Sequence, residues 1–243
     1  MEENCETSSP LCSSFTSEKV PIVLSNDVTE LVRLMQLKSV KENVQELERV
    51  VSALELIALS ESGRQSCIDA GAPRALTELA KENIVKENGY AAENVAHALG
   101  NIALSESGRQ SCIDAGAPLA LTELAKGKAV KENDLAVWDV ARALGNIAKS
   151  EIGRQSCIDA GAPLTLTDLA KEKAVKENGG ASRSVAYALG NIAKSESGRQ
   201  SCIDAGAPLV LTELAKEKAV KEDTNAVKDI ANAYKIITGI ELK

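Results

Sequence analysis

The stretch SESGRQSCIDAGAPLALTELAKGKAVKENDLAVWDVARALGNIAK, residues 105–149, recurs along the chain with a period of 45 residues. Within it, the motif GRQSCIDAGAP starts without a changed letter at Gly63, Gly108, Gly153 and Gly198. A fixed period of about 20–50 residues is typical of solenoids, propellers and repeat arrays. The sequence therefore predicts that one supersecondary unit is stacked several times.

The pattern inside this unit indicates helices. GRQSCIDA follows two candidate N-caps, Ser105 and Ser107, and stops at Gly116, a residue type common just after a helix. Pro118 suits the first turn of a second helix. That helix carries three leucines at a helical spacing: Leu119, Leu121 and Leu124.

A third and longer helix is predicted from about Asp134 to Lys149, after the linker GKAVKEND. Its apolar residues recur at offsets of three and four and are expected to face a core: Ala136, Val140, Ala143, Leu144 and Ile147. Runs of β-branched residues with a period of two, which a propeller blade would need, are missing. The expected fold is therefore all-α, a solenoid with a short, a medium and a long helix in each unit.

The period also predicts how the chain is divided. A polar tail over residues 1–27 precedes the repeat domain, residues 28–243, and its cysteines Cys5 and Cys12 are expected to be ordinary thiols. The domain starts with a partial repeat, 28–59, and continues with full repeats 60–104, 105–149 and 150–194. In the last repeat, 195–243, the motif ALGNIA becomes AYKIIT, as expected of a capping unit with one neighbour.

The motif ALGNIA, followed by a Gly-Arg turn and IDAGAP, resembles the armadillo repeat family over roughly residues 28–240. The resemblance implies a right-handed superhelix of three-helix armadillo repeats. The unit is a few residues longer than is usual in the family, and the extra length falls in the linker around KAVKEN. Near-identical units fit a recent duplication or an engineered array, and the unrelated first 27 residues favour a natural chain.

The same resemblance implies a binding site. In armadillo proteins the long helices line a concave groove, where an Asn near the end of each helix bonds the backbone of an extended peptide. The matching residues are Asn101, Asn146 and Asn191. Positions four residues earlier carry His97, Arg142 and Tyr187, and positions eight earlier carry Glu93, Trp138 and Arg183. These nine residues are the candidate partner-binding set.

Repeats 105–149 and 150–194 differ at ten positions, and six of them lie between residues 134 and 142. Packing residues are copied because changes in a close-packed interior leave cavities or clashes. We interpret the varied start of the long helix as a surface that reads partner side chains. A structural alternative stays open, in which each Asn bridges to a neighbouring unit and the variation is neutral.

Composition excludes several functions. The net charge is −7 and aromatic residues are 2% of the chain, which argues against nucleic-acid binding. A single histidine, His97, cannot build a multi-histidine metal site, and the sequence has no phosphate-binding glycine motif. We expect no enzyme activity, catalytic residue, metal or cofactor. No apolar segment is long enough for a transmembrane helix, and we expect a cytoplasmic monomer, with the nucleus as a second location.

Three functions remain open. The first is a protein-protein interaction module that binds a partner segment, for which the acidity favours a basic segment. The second is a regulator of small GTPases, because the run from Ala141 to Gly161 resembles armadillo-type GDP dissociation stimulators. The third is a structural spacer.

Two further repeated features receive structural interpretations. Four cysteines are expected to be buried and reduced, since equivalent residues in stacked helices lie too far apart for a disulfide: Cys67, Cys112, Cys157 and Cys202. An arginine precedes an aspartate by five residues in each unit, as Arg64 does Asp69, and predicts an ionic ladder or a turn cap.

Overall fold

A computed structural model describes residues 27–242. This part of the chain is helical and contains no strand, as the periodicity predicts. Cys5, Cys12 and nearly all of the predicted tail lie outside the described residues. Among residues 27–242, no helix has the length and apolarity that crossing a bilayer requires.

The helices form four sets by their place in the unit. The names short and medium keep the predicted order, which is wrong in length, because the first helix of a unit has 9 residues and the second has 8 or 9. The long helices are α3 (Val44–Ile57), α7 (Gly89–Ile102), α11 (Asp134–Ile147), α15 (Gly179–Ile192) and α19 (Thr224–Thr238). The medium helices are α1 (Val28–Met35), α5 (Ala72–Leu79), α9 (Ala117–Ala125), α13 (Ala162–Leu169) and α17 (Ala207–Leu214). The short helices are α4 (Glu61–Asp69), α8 (Glu106–Asp114), α12 (Glu151–Asp159) and α16 (Glu196–Asp204). Single turns are α2 (Lys38–Lys41), α6 (Asn83–Lys86), α10 (Lys128–Lys131), α14 (Lys173–Lys176) and α18 (Lys218–Glu222).

Each set stacks on itself along the solenoid. Every long helix packs against the long helix of the next unit, and the medium and short helices form two parallel stacks beside them. One continuous apolar core runs between the three stacks. Because each unit buries its apolar face against its neighbours, the units stabilise one another and none is a separate globule.

The predicted core stripe of the third helix is confirmed. Its five apolar residues are fully buried: Ala136, Val140, Ala143, Leu144 and Ile147. The four repeated cysteines are also buried and unbridged. Burial raises the pKa of Cys112 and Cys157 to about 12, so these thiols stay protonated and act as small packing groups.

Capping side chains fix where the short and the long helices begin. Ser105 is the N-cap of α8, where its Oγ accepts from the N–H of Gly108, whereas Ser107 lies inside the helix. Asn133 is the N-cap of α11 and accepts from the N–H of Ala136. Gly116 separates the short from the medium helix with φ at 78°, a left-handed conformation that favours glycine.

The structure adds to or corrects the sequence analysis at three places: the linker, Leu119 and the repeated arginine. The predicted linker GKAVKEND contains the helical turn α10, which the buried Val130 anchors. Leu119 does not face the core and is 56% exposed. The repeated arginine is a turn cap in three units, where Nη1 of Arg109 donates to the carbonyls of Ala103 and Leu104. Arg199 instead pairs with Glu196.

Candidate partner-binding face of the long helices

The long helices leave one side uncovered along the whole solenoid. We call this surface, the side of α3, α7, α11, α15 and α19 that carries Asn101, Asn146 and Asn191 and the positions four and eight residues before them, the long-helix face. All nine residues of the predicted set lie on it. They differ in accessibility, since the three Asn residues are only 1–5% exposed whereas Trp138 is 40% exposed.

The three Asn amides connect consecutive long helices. Nδ2 of Asn146 donates to the backbone carbonyl of Gly100 at 3.0 Å, and Nδ2 of Asn191 donates to that of Gly145 at 3.1 Å. Nδ2 of Asn101 reaches the carbonyl of Glu55 at 3.4 Å. Each amide therefore already uses a donor within the solenoid, although a primary amide has two.

We call Asn101, Asn146 and Asn191 the Asn row, and the residues four positions before them the middle row. Two of the three middle-row residues donate hydrogen bonds to amide oxygens of the Asn row. Nη1 of Arg142 donates to Oδ1 of Asn101 at 3.2 Å, and the hydroxyl of Tyr187 donates to Oδ1 of Asn146 at 3.0 Å. His97 reaches instead towards Asp139, with 3.6 Å between Nδ1 and Oδ2, and burial lowers the pKa of His97. Arg142 and Tyr187 thus hold the amides of Asn101 and Asn146 in place, and each uses a hydrogen-bond donor to do so.

The residues eight positions before the Asn row are the most available of the set. Trp138 lies over the first turn of α15, where a Cβ built on Gly180 would be 3.3 Å from its ring. Arg183 pairs with Asp229 of α19 at 2.7 Å. Glu93 is half-buried, and its Oε2 has no hydrogen-bond partner.

A group of carboxylates that sequence reasoning did not single out lies beside these residues. Glu55 stands on α3 at the position that is Gly100 in the next unit, and its buried Oε1 has no hydrogen-bond partner. Burial, Asp139 and Glu93 raise the pKa of Glu55 to about 8, against the opposing effect of Arg142. The signal for Glu55 is present in the sequence as a carboxylate at a position that is glycine in the next three units.

Asp139 pairs with the guanidinium of Arg142. Its Oδ1 accepts from Nε of Arg142 at 3.2 Å and lies 3.0 Å from Nη2 of the same guanidinium. Burial raises the pKa of Asp139, while His97 and Arg142 act in the opposite direction. Among residues 27–242, no set of three or more His, Cys, Asp or Glu side chains is placed to hold a metal ion.

The carboxy-terminal end of the long-helix face, at α15 and α19, is lined by other types of residue. A cleft of about 210 Å³ lies between α15 and α19 and is lined in part by Tyr187, Lys194 and Asn232. Nζ of Lys194 donates to Oδ1 of Asn191 at 2.7 Å, and Nζ of Lys149 lies 5.8 Å from the centre of the Tyr187 ring. Two lysines and the Tyr187 ring therefore lie in the carboxy-terminal half, and Asp229 also lines the cleft.

No protein-family model and no curated protein sequence matches the chain. An engineered protein from the Northeast Structural Genomics Consortium aligns with a TM-score of 0.75 at 28% identity, covering 88% of this chain and 81% of its own. A designed armadillo repeat protein in complex with the peptide (KR)4 aligns with a TM-score of 0.69 at 23% identity, covering 85% and 80%. A computationally designed armadillo repeat protein for modular peptide recognition gives 0.67 at 24% identity, with the same coverage. The stacked helices and these alignments show that the chain has the armadillo-type repeat fold.

Proposed function

We propose that this protein is an interaction scaffold that holds a segment of a partner protein against its long-helix face. The observation that carries the proposal is where the repeats differ. Six of the ten differences between repeats 105–149 and 150–194 lie between residues 134 and 142, in the first two turns or so of the long helix. The differing side chains include Trp138 and Arg142, which lie on the long-helix face, and two buried residues of the same stretch, Val137 and Asp139, which become Ser182 and Ser184 in the next unit. The motif ALGNIA that follows them is copied.

The chemistry of this face supports the proposal. Aromatic and arginine side chains are the residue types that most often anchor protein interfaces. Trp138 is 40% exposed and Arg183 is exposed on the next helix. Part of the Trp138 ring packs over Gly180 of α15, and the exposed part is free to contact a partner. Two of the designed proteins of the same fold bear descriptions that mention peptide binding or recognition.

The geometry suggests which residues a partner meets first. The amides of Asn101 and Asn146 are nearly buried and bonded at both ends, so they offer little to a partner. In the proposed complex the outer residues Glu93, Trp138 and Arg183 read the partner, and the amides hold the helices that present them.

The proposal is tested with a library of random peptides displayed on phage and selected on the folded protein. Selected peptides should bind a Trp138→Ala variant at least about tenfold more weakly, the loss expected when an interface anchor is removed. Leu119→Ala is the matched control, because Leu119 is also a large exposed apolar residue but lies on the medium helix α9. A triple alanine variant of the Asn row is unsuitable, since it removes inter-helix hydrogen bonds and would lower stability.

The control variant Leu119→Ala should bind the selected peptides as tightly as the wild type does. If the selected peptides lose affinity for Leu119→Ala and keep it for Trp138→Ala, the partner site is on another face and the proposal is wrong. Circular dichroism melts of both variants establish that each is folded.

A further inference from the structure

Five equivalent positions on the long-helix face change chemistry in order along the solenoid. They occur once in each long helix, 45 residues apart, and carry two carboxylates, an indole and two cations: Glu48, Glu93, Trp138, Arg183 and Lys228. We call these five residues the graded row. Opposite charges on neighbouring helices would neutralise one another, whereas this order keeps them apart and leaves both ends to act on a partner.

A second line of positions changes at the same place. Three residues after the Asn row the chain carries Leu59 on the first unit and Leu104 on the second, then Lys149 and Lys194 on the next two. The two leucines are 60% and 42% exposed. The amino-terminal half of the face therefore combines carboxylates with exposed leucines, and the carboxy-terminal half is mainly cationic, with Asp229 as the carboxylate that pairs with Arg183.

The acidic end holds two acidic side chains that are not fully paired within the described structure. Oε1 of Glu55 and Oε2 of Glu93 are buried without a hydrogen-bond partner. Burial raises the pKa of Glu93, and the nearby carboxylates Asp139, Asp134 and Glu48 raise it further. Since Arg142 already contacts Asp139 and Asn101, a cation supplied from outside would relieve this repulsion.

The basic end has one cation that is paired with a carboxylate and two that are not paired within the described residues. Arg183 is paired with Asp229. Within residues 27–242, by contrast, neither Lys149 nor Lys228 forms an ion pair, and Lys149 stands beside the Tyr187 ring. An anionic side chain arriving here would find ammonium groups that nothing else in the described structure neutralises.

We propose that the long-helix face binds an extended protein segment of opposite end charges, with its cationic side chains over α3 and α7, an apolar side chain on Trp138, and its anionic side chains over α15 and α19. This inference rests on the proposed function and adds the chemistry and direction of the partner. Packed helices lie about 8–10 Å apart and an extended chain advances about 3.3 Å per residue, so the five helices span about ten to twelve residues.

The probe is a set of synthetic peptides of about twelve residues, the length derived above. Two of them carry a lysine block and a glutamate block on either side of a leucine, in the two possible orders, because the backbone direction is not fixed by the charges. A third has the same composition with alternating charges, and a fourth is uniformly lysine-rich. Binding is followed by the fluorescence of Trp138, which is the only tryptophan in the chain and lies at the centre of the graded row.

One block order should bind about tenfold or more tightly than the alternating peptide at low salt, and its advantage should shrink at high salt. A double variant, Glu48→Lys with Lys228→Glu, exchanges the charges at the two ends while the net charge stays at −7, since the changes are +2 and −2. Both residues lie at the ends of the row and make no ion pair within the described residues. The variant should lose most of the preference between block orders.

Three results would overturn the inference: an alternating peptide that binds as well as either block peptide, a lysine-rich peptide that binds best, or a block-order preference that the double variant leaves unchanged. If phage-selected peptides depend on Trp138 but carry no charge blocks, the inference fails and the proposed function stands. If the affinity of the selected peptides does not depend on Trp138, both the inference and the proposed function are wrong.

Discussion

At the scale of single residues, Glu55 is an acidic group on the long-helix face whose charged form is disfavoured by its surroundings. It occupies the position that is glycine in the next three units, and Glu93 and Asp139 lie close enough to raise its pKa. Arg142 is the one cation that acts on it in the opposite direction. The carboxyl of Glu55 therefore binds its proton more tightly in the folded protein than in the unfolded chain.

This difference predicts that stability falls as the pH rises. The pKa of Glu55 is about 8 in the folded protein against an ordinary value of 4.5, so the folded state is favoured below 4.5 and loses that advantage as the pH approaches 8. A Glu55→Gln variant cannot ionise and should lose less stability than the wild type between about pH 6.5 and about pH 8.5. Urea midpoints at the two pH values, measured with a reductant, provide the comparison.

Glu87→Gln is the control for this prediction, because Glu87 is an exposed residue just after the single turn α6. It should follow the wild type at both pH values. An equal loss of stability for Glu55→Gln and the wild type would mean that the Glu55 carboxylate is ionised without penalty.

The Asn row shows how far sequence can predict such residues. The spacing of Asn101, Asn146 and Asn191 placed them correctly on the long helices, and the structural alternative of a bridge to a neighbouring unit was already visible. That Nδ2 of Asn146 bonds the carbonyl of Gly100, 46 residues earlier, depends on how two helices are shifted along each other. A repeat period does not contain that shift, and so the binding role of the amides stays a prediction.

At the scale of helices, the glycine of ALGNIA sets how closely two long helices approach. A Cβ built on Gly145 would lie 2.6 Å from Cδ1 of Tyr187, whereas one on Gly190 would lie 3.4 Å from the nearest atoms, those of Ala233. The same glycine thus faces a tight contact in one unit and an ordinary one in another, because the middle row carries Tyr187 on α15 and Asn232 on α19.

Alanine substitution should separate the two cases. Gly145→Ala should lower the free energy of unfolding by about 1–3 kcal/mol, since the tyrosine ring cannot move aside without disturbing its neighbours. Gly190→Ala should be neutral or stabilise by up to about 1 kcal/mol, because alanine is the better helix former. Urea unfolding followed by circular dichroism measures both. Equal effects at the two positions would show that the ring of Tyr187 yields freely.

The linker marks the limit of sequence reasoning at this scale. KAVKEN is too short to show a helical period, and its charges favour an irregular solvated segment. In the structure the single valine of each linker, Val130 in the second full repeat, is buried and holds the segment as one helical turn. One apolar residue among five polar or small ones carries too little pattern to predict this.

At the scale of the whole molecule, the copied packing surfaces make the units interchangeable. The face of α15 that meets α19 and the face of α11 that meets α15 share the residues ALGNI, and Lys149 is followed by Ser150 just as Lys194 is followed by Ser195. The polarity of the graded row, in contrast, belongs to the order of the units and not to any one of them. The number of units in the solenoid can therefore be changed without reversing the order of charges in the graded row.

Deletion of residues 150–194 tests this separation. The shortened chain should fold, since α19 then packs on α11 through the same apolar residues, but with a lower urea midpoint because one inter-unit interface is lost. Deletion of only 150–172, which removes α12 and α13 and leaves α15 without their support, is the control and should abolish cooperative unfolding. The full-unit deletion keeps Glu93, Trp138 and Lys228 in order, so a block-charged peptide should still bind, with the preferred length shorter by about two or three residues. A full-unit deletion that unfolds like the control would mean that stability depends on contacts specific to one unit, and the interchangeability argued from the copied residues would be wrong.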